Sequence, residues 1–239
     1  MRPYYETELG KLYHGDCLQI MPHLEPVDLV LTSPPFNVGL DYGDETDDNK
    51  NPEDYWAWYD QFLAILLEHS EDNSILYLIS GMIHFDIVKQ KGLNAGFTFV
   101  QWLWLKRRNL VGSSPRWPWI PTIQPVAMFR TGKRKPMLSH VQGINTFDVC
   151  EYTAAQSNFI KNKRCHPAQD GVEAYFKIVA RSPGETILDP FLGSGTTAIA
   201  CERLNRRWIG IEIEEKYCAI AKQRIENERK QRKFNRWDI

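Results

Sequence analysis

Apolar and polar positions along the chain change period repeatedly, and each change marks an element. Gly10-Lys-Leu-Tyr-His14 reads as a short first strand, after which Leu18, Met21 and Leu24 recur at helical spacing. Val27-Asp-Leu-Val-Leu-Thr32 is apolar enough for a strand buried on both faces. Asn51-Pro-Glu-Asp54 joins a cap residue, a proline at the first helical position and acids in the first turn, so a helix starts there. Tyr55, Trp58, Tyr59, Phe62, Ile65 and Leu66 line one side of it to about Glu71 and read as core. Ser74–Ser80, Phe97–Leu105 and Gln124–Arg130 predict further strands, with a short helix near residues 82–91. Later, a helix through Val172, Tyr175, Phe176 and Val179 stops at Ser182-Pro-Gly184. A strand ending in Ile187-Leu-Asp189 follows, then a glycine turn and a helix through Ala198, Ile199 and Leu204. A strand over Arg207–Ile213 and a last helix from about Glu214, with Tyr217, Ile220, Ala221 and Ile225 inward, complete the pattern. Strands alternating with helices predict an α/β fold, a Rossmann-like sheet with helices on both faces, in a single domain over residues 1–239.

The segments between these elements are the irregular ones. Two prolines in Ser33-Pro-Pro-Phe36 cannot donate to a sheet, so this segment leaves its strand as a stiff, extended loop with carbonyls free to accept. Residues 37–54 carry seven acids and glycines at 39 and 43, which predicts a solvated, mobile loop, either a lid or plain surface. Lys106–Pro121 interleaves basic residues with Trp117 and Trp119; it fits contact with phosphates and unstacked bases, or a proline-pinned loop packing its tryptophans on the body. From Thr131 to Lys163 regular signals are sparse.

Charge sharpens that division. Net charge is −1, but residues 1–100 hold 17 Asp/Glu against 5 Lys/Arg, and residues 101–165 hold 11 Lys/Arg against 2 Asp/Glu. A polyanion would therefore meet the middle of the chain, with 106–165 as the basic DNA-contacting region. Lys106, Arg107, Arg108, Arg116, Lys133, Arg134 and Lys135 are its candidate phosphate contacts. Five cysteines without a C-x-x-C pair argue against a disulfide framework or a clustered zinc site. No apolar run reaches the ~18 residues of a membrane span and no signal-peptide core opens the chain, so a cytoplasmic protein without membrane partners is expected.

Gly193, Gly195 and Ala198 fit G-x-G-x-x-G/A, the turn that lets backbone approach a nucleotide-like ligand. Glu212 follows about 20 residues on, where a carboxylate accepts ribose hydroxyls. Both this turn and Ser33-Pro-Pro-Phe36 follow strand ends, so neighbouring strands would place them in one crevice. A nucleoside site beside a rigid acceptor loop suits alkylation of a nucleobase amine. The Ser33 side chain and a proline carbonyl would draw the amine nitrogen toward tetrahedral geometry. A base in a duplex must first be flipped out, and Phe36 is placed to stack on it.

The order of these motifs, Ser-Pro-Pro-Phe first, a basic segment next and Asp189-Pro-Phe-Leu-Gly-Ser-Gly-Thr196 last, resembles the circularly permuted β-class of DNA amino-methyltransferases. The resemblance extends to Gly15-Asp16, His166-Pro-Ala-Gln169 and Gly210-Ile-Glu212. It implies a Rossmann-like methyltransferase sheet with an inserted basic target-recognition segment around 131–163, and S-adenosylmethionine as cofactor. Carried onto this chain, it assigns Ser33, Pro34, Pro35 and Phe36 to the target base. Asp189, Phe191, Gly193, Gly195 and Thr196 would hold the methionine part of the cofactor, Glu212 its ribose and Asp16 its adenine. Two positions depart from the family: Asp170 stands where lysine is frequent, and Gln124 where a glutamate is.

Serine at the first acceptor position resembles the N4-cytosine members, so methylation of cytosine N4 in double-stranded DNA is expected, with adenine N6 as the alternative. A C5-cytosine enzyme is excluded by the lack of any Pro-Cys dipeptide. A nucleotide-dependent oxidoreductase would share the glycine turn but not Ser33-Pro-Pro-Phe36. An inactive DNA-binding module and an enzyme acting on RNA or protein amides are the remaining classes. Homodimerisation and a cognate restriction endonuclease stay open.

Overall fold

The computed structural model describes residues 1–43, 45–109, 121–153 and 171–235, with side chains to residue 231. Nine strands form one sheet: β1 (Tyr5–Glu6), β2 (Gly10–His14), β3 (Val27–Thr32), β4 (Ser70–Ile79), β5 (Thr98–Arg107), β6 (Ile123–Arg130), β7 (Val149–Tyr152), β8 (Thr186–Asp189) and β9 (Arg207–Glu212). Their spatial order is β1-β2-β9-β8-β3-β4-β6-β5-β7. The five strands from β2 to β4 are mutually parallel, and β6 reverses direction against both β4 and β5.

The helices are α1 (Cys17–Ile20), α2 (Pro52–Glu68), α3 (Phe85–Ala95), α4 (Val172–Arg181), α5 (Thr196–Leu204) and α6 (Glu215–Asn235). Alternation along the strands sorts the core by face. Leu29, Leu31, Tyr77 and Ile79 bury against Ala174, Val179, Ile199, Ala221 and Ile225 of α4, α5 and α6. Val30, Leu76 and Leu78 bury against Tyr59, Phe62, Leu63, Leu66 and Val88 of α2 and α3. Helices thus cover both faces, the Rossmann-like arrangement expected for parallel strands. Among the described residues no helix is long and apolar enough to cross a membrane.

The chain reaches β9 from β8 by way of α5, and reaches β4 from β3 by way of α2. The two crossovers lead away from the β3–β8 pair on opposite faces of the sheet. That pair, in register at Leu29–Ile187 and Val30–Leu188, is the topological switch point. A crevice opens beyond its carboxyl ends.

Several boundaries differ from expectation. Helix α2 stops at Glu68 and not near Glu71, because β4 begins at Ser70 to pair with Val27. Helix α3 begins at Phe85, after a turn in which the His84 N–H donates to the Gly81 carbonyl. Strand β5 extends through Lys106 and Arg107, which the sequence placed in the irregular loop; both continue the ladder to β7. Strands β1 and β7 were not expected, being two and four residues long and without periodicity.

The described residues of the acidic 37–50 segment share a network of hydrogen bonds. Asp48, 3% exposed, accepts from the backbone N–H groups of Asn37, Val38 and Leu40 at 2.7, 3.1 and 3.0 Å. Asn37 bonds Lys50 in both directions, and the Glu45 N–H donates to Glu214 Oε1 at 2.8 Å.

Candidate functional site

Asp189 sits where the two crevice loops meet. It ends β8, is 3% exposed, and accepts from Thr32 Oγ1 at 2.7 Å, Thr197 Oγ1 at 2.5 Å and the Phe191 N–H at 3.1 Å. Thr32 is the residue before Ser33, and Thr197 lies in α5, so one carboxylate joins the acceptor loop to the glycine loop. Burial pushes the Asp189 carboxyl up to about 6, against the opposing pull of its hydrogen bonds from Thr197, Thr32 and Phe191. Of its roughly four acceptor sites three are engaged, which leaves one on Oδ2.

The glycine turn is shaped by a close approach. Gly195 has φ +87°, and a Cβ there would come within 3.1 Å of Ala221 Cβ on α6, so the conformation and the space both require glycine. Gly193 N–H donates to Glu212 Oε2 at 2.7 Å, and Glu214 N–H donates to Glu212 Oε1 at 2.9 Å. Burial pushes the Glu212 carboxyl up to about 7, against those two bonds. Each Glu212 oxygen keeps a second acceptor site. The Gly15 N–H donates to the Glu212 carbonyl, and Asp16 Oδ1 accepts from the Leu18 N–H as the cap of α1, which brings Gly15-Asp16 to the same rim.

A cavity of ≈ 290 Å³ fills the crevice. Ser33, Pro35, Asp16, Asp189, Phe191, Gly193, Thr196 and Glu212 all line it. Gly195 lies outside the lining, and Pro34 and Phe36 line a closed seam behind the acceptor loop that has no room for a water molecule. The structure adds walls that the motifs did not indicate: Tyr42, Thr46, Asp47 and Lys50 of the Asp48-organised segment, and Tyr55 and Trp58 of α2. Helix α2, read as core, therefore serves both purposes, with Tyr59 and Phe62 inward and Trp58 edge-on to Phe191 at 5.7 Å. Carboxylates dominate the lining: Asp16, Glu45, Asp47, Asp189 and Glu212 stand against Lys50 among its described residues, and Lys50 lies 3.6 Å from Asp47. Such a cavity favours a ligand carrying positive charge.

On the acceptor loop, the Pro35 carbonyl accepts from Tyr55 Oη at 2.9 Å. The Ser33 hydroxyl and the Pro34 carbonyl engage no described residue. The Phe36 ring lies over Gly81, whose Cβ, if present, would sit 3.5 Å from it.

The candidate phosphate contacts divide between two edges of the sheet. Lys106, Arg107 and Arg108 lie at the carboxyl end of β5, on the same edge as Ser33, with Lys106 paired to Glu151 at 2.8 Å, Arg107 Nε donating to Tyr152 Oη at 2.8 Å and Arg108 paired to Glu173 at 2.7 Å. Lys133, Arg134 and Lys135 are exposed beside the opposite end of β4, where the Arg134 N–H donates to Asn73 Oδ1. Asn73 and Ser80 are seven residues apart along β4 and its end, roughly 23 Å at strand rise. Strand β6 runs antiparallel and delivers its end to that far edge, which is why basic residues adjacent in sequence do not meet the crevice. The segment 131–163, expected to be one recognition unit, thus starts at the far edge and contains β7. Arg116, Cys165, His166-Pro-Ala-Gln169, Asp170 and residues 154–163 lie outside the described residues.

A family model described as DNA methylase matches residues 27–223. The chain is similar to the type II methyltransferase M.HpaI of Haemophilus parainfluenzae, 28% identical over 248 residues that cover 95% of this chain and 76% of the relative. It is 27% identical to the type II methyltransferase M.BamHI of Bacillus amyloliquefaciens, covering 98% of this chain and 61% of that one. Among solved structures it resembles PvuII DNA methyltransferase (cytosine-N4-specific), with TM-score 0.76, 20% identity, and 92% of this chain and 87% of that chain covered. The M1.HpyAVI–SAM complex matches with TM-score 0.74 and 20% identity, over 91% of this chain and 99% of that one. At such identity the two structures show the shared fold.

Proposed function

The chain belongs to the DNA methylase family, matched over residues 27–223, and on that premise we propose that it transfers a methyl group from S-adenosylmethionine to an exocyclic base amine in double-stranded DNA, cytosine N4 being favoured. The observation that carries this reading is the buried Asp189, which joins Thr32 of the acceptor side to Thr197 of the glycine-loop side and so makes one crevice of two loops. The type II methyltransferases among its relatives support duplex DNA as the substrate.

The residues present fit the cofactor. At ≈ 290 Å³ the cavity is close to the ~300 Å³ at which ligand pockets begin. The spare acceptor sites of Glu212 suit ribose hydroxyls, the spare site of Asp189 suits an ammonium, and Asp16 Oδ2 is left for an adenine amine. Bound S-adenosylmethionine supplies a methyl group already activated on a sulfonium. The Ser33 hydroxyl and Pro34 carbonyl accept hydrogen bonds from the base amine and draw its nitrogen out of conjugation. Ser33 and Pro34 would keep their hydrogen bonds as the nitrogen takes the methyl group, the donor leaving as a neutral thioether and the surplus proton passing to water. Tyr55 keeps the loop rigid through the Pro35 carbonyl. Positioning supplies most of the rate.

Cytosine is favoured because Ser33-Pro-Pro-Phe36 resembles the N4-cytosine members; a serine hydroxyl also accepts from the adenine amine, so product analysis decides. DNA from a modification-free host expressing the protein is sequenced with a readout for methylated bases, and its nucleosides are identified by mass spectrometry. N4-methylcytosine at one sequence context is the expected result. N6-methyladenine as sole product overturns the choice of base, and unmodified DNA overturns the activity.

A further inference from the structure

The crevice answers two of the three charges on S-adenosylmethionine, and the third calls for a partner of opposite sign. The cofactor carries a sulfonium, an ammonium and a carboxylate. Against the two cations the lining sets Asp16, Glu45, Asp47, Asp189 and Glu212. A carboxylate brought among those acids is repelled unless a cation or a set of N–H donors meets it. Lys50 is the one basic residue among the described residues of the lining.

Two hydrogen bonds to its backbone set Lys50 at the acceptor-loop end of the cavity. Asn37, the residue after Phe36, accepts from the Lys50 N–H on Oδ1 at 2.7 Å and donates from Nδ2 to the Lys50 carbonyl at 2.9 Å. Its φ of +55° lies in the left-handed region, where asparagine is enriched. On its other side Lys50 precedes Asn51, the cap of α2, and Tyr55 of that helix donates to the Pro35 carbonyl. Glu45 marks the opposite end of the segment, because its N–H donates to Glu214, two residues after Glu212. A cofactor with its ribose on Glu212 and its adenine at Asp16 thus extends its methionine part past Asp189 toward Lys50. The ammonium there is loosely held: Asp47 Oδ2 lies 3.6 Å from Nζ, beyond hydrogen-bond reach, and the two side chains are 36% and 60% exposed. Such a pair contributes little, so a ligand can take the ammonium without breaking a strong bond.

We propose that Lys50, positioned by Asn37, receives the carboxylate of the cofactor's methionine part through a charge-assisted hydrogen bond. The site would then tell S-adenosylmethionine from its decarboxylated form, which keeps both cations and lacks the anion. Asn37 adjoins Phe36, so the residue that seats the carboxylate partner also fixes the exit of the acceptor loop. The rival holder is the N-terminus of α5, where backbone N–H groups and the helix dipole favour anions.

The inference rests on S-adenosylmethionine as the ligand of the crevice, and its test separates it from the methyltransferase reading. Calorimetry without DNA gives the dissociation constants of S-adenosylmethionine and of decarboxylated S-adenosylmethionine for wild type, Lys50→Met and Lys50→Arg, with thermal melting as the check on folding. Lys50→Met is expected to weaken S-adenosylmethionine about tenfold or more and to leave the decarboxylated form within about threefold. Lys50→Arg keeps the charge and is expected to hold S-adenosylmethionine within about threefold of wild type. Equal losses for both ligands in Lys50→Met overturn the inference, as does unchanged affinity for S-adenosylmethionine in that variant, which would move the carboxylate to α5. A second measurement needs no variant: acetylation of Lys50 in the wild type, read by mass spectrometry, should be slowed about threefold or more by S-adenosylmethionine relative to the decarboxylated form at equal saturation. Equal protection by the two ligands overturns the inference. The expected binding pattern in a protein that leaves DNA unmodified upholds the Lys50 contact and overturns the proposed function, whereas a wild type that binds no S-adenosylmethionine overturns both.

Discussion

Glu212 combines two backbone hydrogen bonds with near-complete burial, and burial prevails, raising its carboxyl from 4.5 to about 7. A carboxyl raised on folding binds protons more tightly in the native state, so its contribution to stability falls as pH rises from about 4 to about 7, and that of Asp189 does the same up to about 6. Ligand binding runs the other way, because ribose hydroxyls bond best to the ionised group. The dissociation constant for S-adenosylmethionine is therefore expected to fall about tenfold from pH 6 to pH 8, with proton release measurable by calorimetry in buffers of different ionisation enthalpy. Glu212→Gln should flatten that profile; an unchanged profile would place the ribose elsewhere. Ser33→Ala is expected to lower methyl transfer at least about tenfold, ~1.4 kcal/mol of transition-state stabilisation, with cofactor affinity preserved in a parallel titration. The positions of Ser33, Asp189 and Glu212 were legible in sequence because each lies at the end of an apolar run that forms a strand.

Among the elements, the buried runs Val27–Thr32 and Thr186–Asp189 were recognisable from composition alone, and their pairing made the crevice foreseeable. The hydrogen bonding within residues 37–50 was not, because it rests on one carboxylate collecting three backbone N–H groups, a polar arrangement without period. Its acidic composition suggested solvation, and Asp41, Glu45 and Asp47 are exposed, whereas Asp48 is buried. Asp48→Ala removes an acceptor from three amides and is expected to destabilise the segment by about 2 kcal/mol or more. Hydrogen exchange should then accelerate in residues 37–50 while β3 and β4 stay protected, and cofactor affinity should drop as Tyr42, Thr46 and Lys50 leave the cavity wall. Wild-type exchange rates in the variant would show that this segment does not depend on Asp48. Strand β5 was underestimated for a related reason: Lys106 and Arg107 look like loop residues until the ladder to β7 is seen.

For the whole molecule, the antiparallel turn of β6 decides which charges can meet DNA at the crevice. Replacing Lys106 and Arg108 together is expected to reduce the salt slope of DNA binding by about 2, near 0.9 per phosphate contact, as measured by fluorescence anisotropy over a salt series. Replacing Lys133, Arg134 and Lys135 should leave the slope unaltered, and a reversed result would move the DNA to the opposite edge. Charge counting along the chain found the basic middle but could not say that its halves lie on different sides. The same sheet order has a temporal consequence. Strand β3 is synthesised early, but its neighbour β8 lies more than 150 residues later, so during translation the central strand waits with one hydrogen-bonding edge open. Non-local pairing of this kind slows folding, and an exposed apolar edge invites association between nascent chains. Ribosome-bound chains that stop short of Thr186 should therefore depend on chaperones, and release from that dependence should coincide with emergence of β8, the moment at which Asp189 first reaches Thr32.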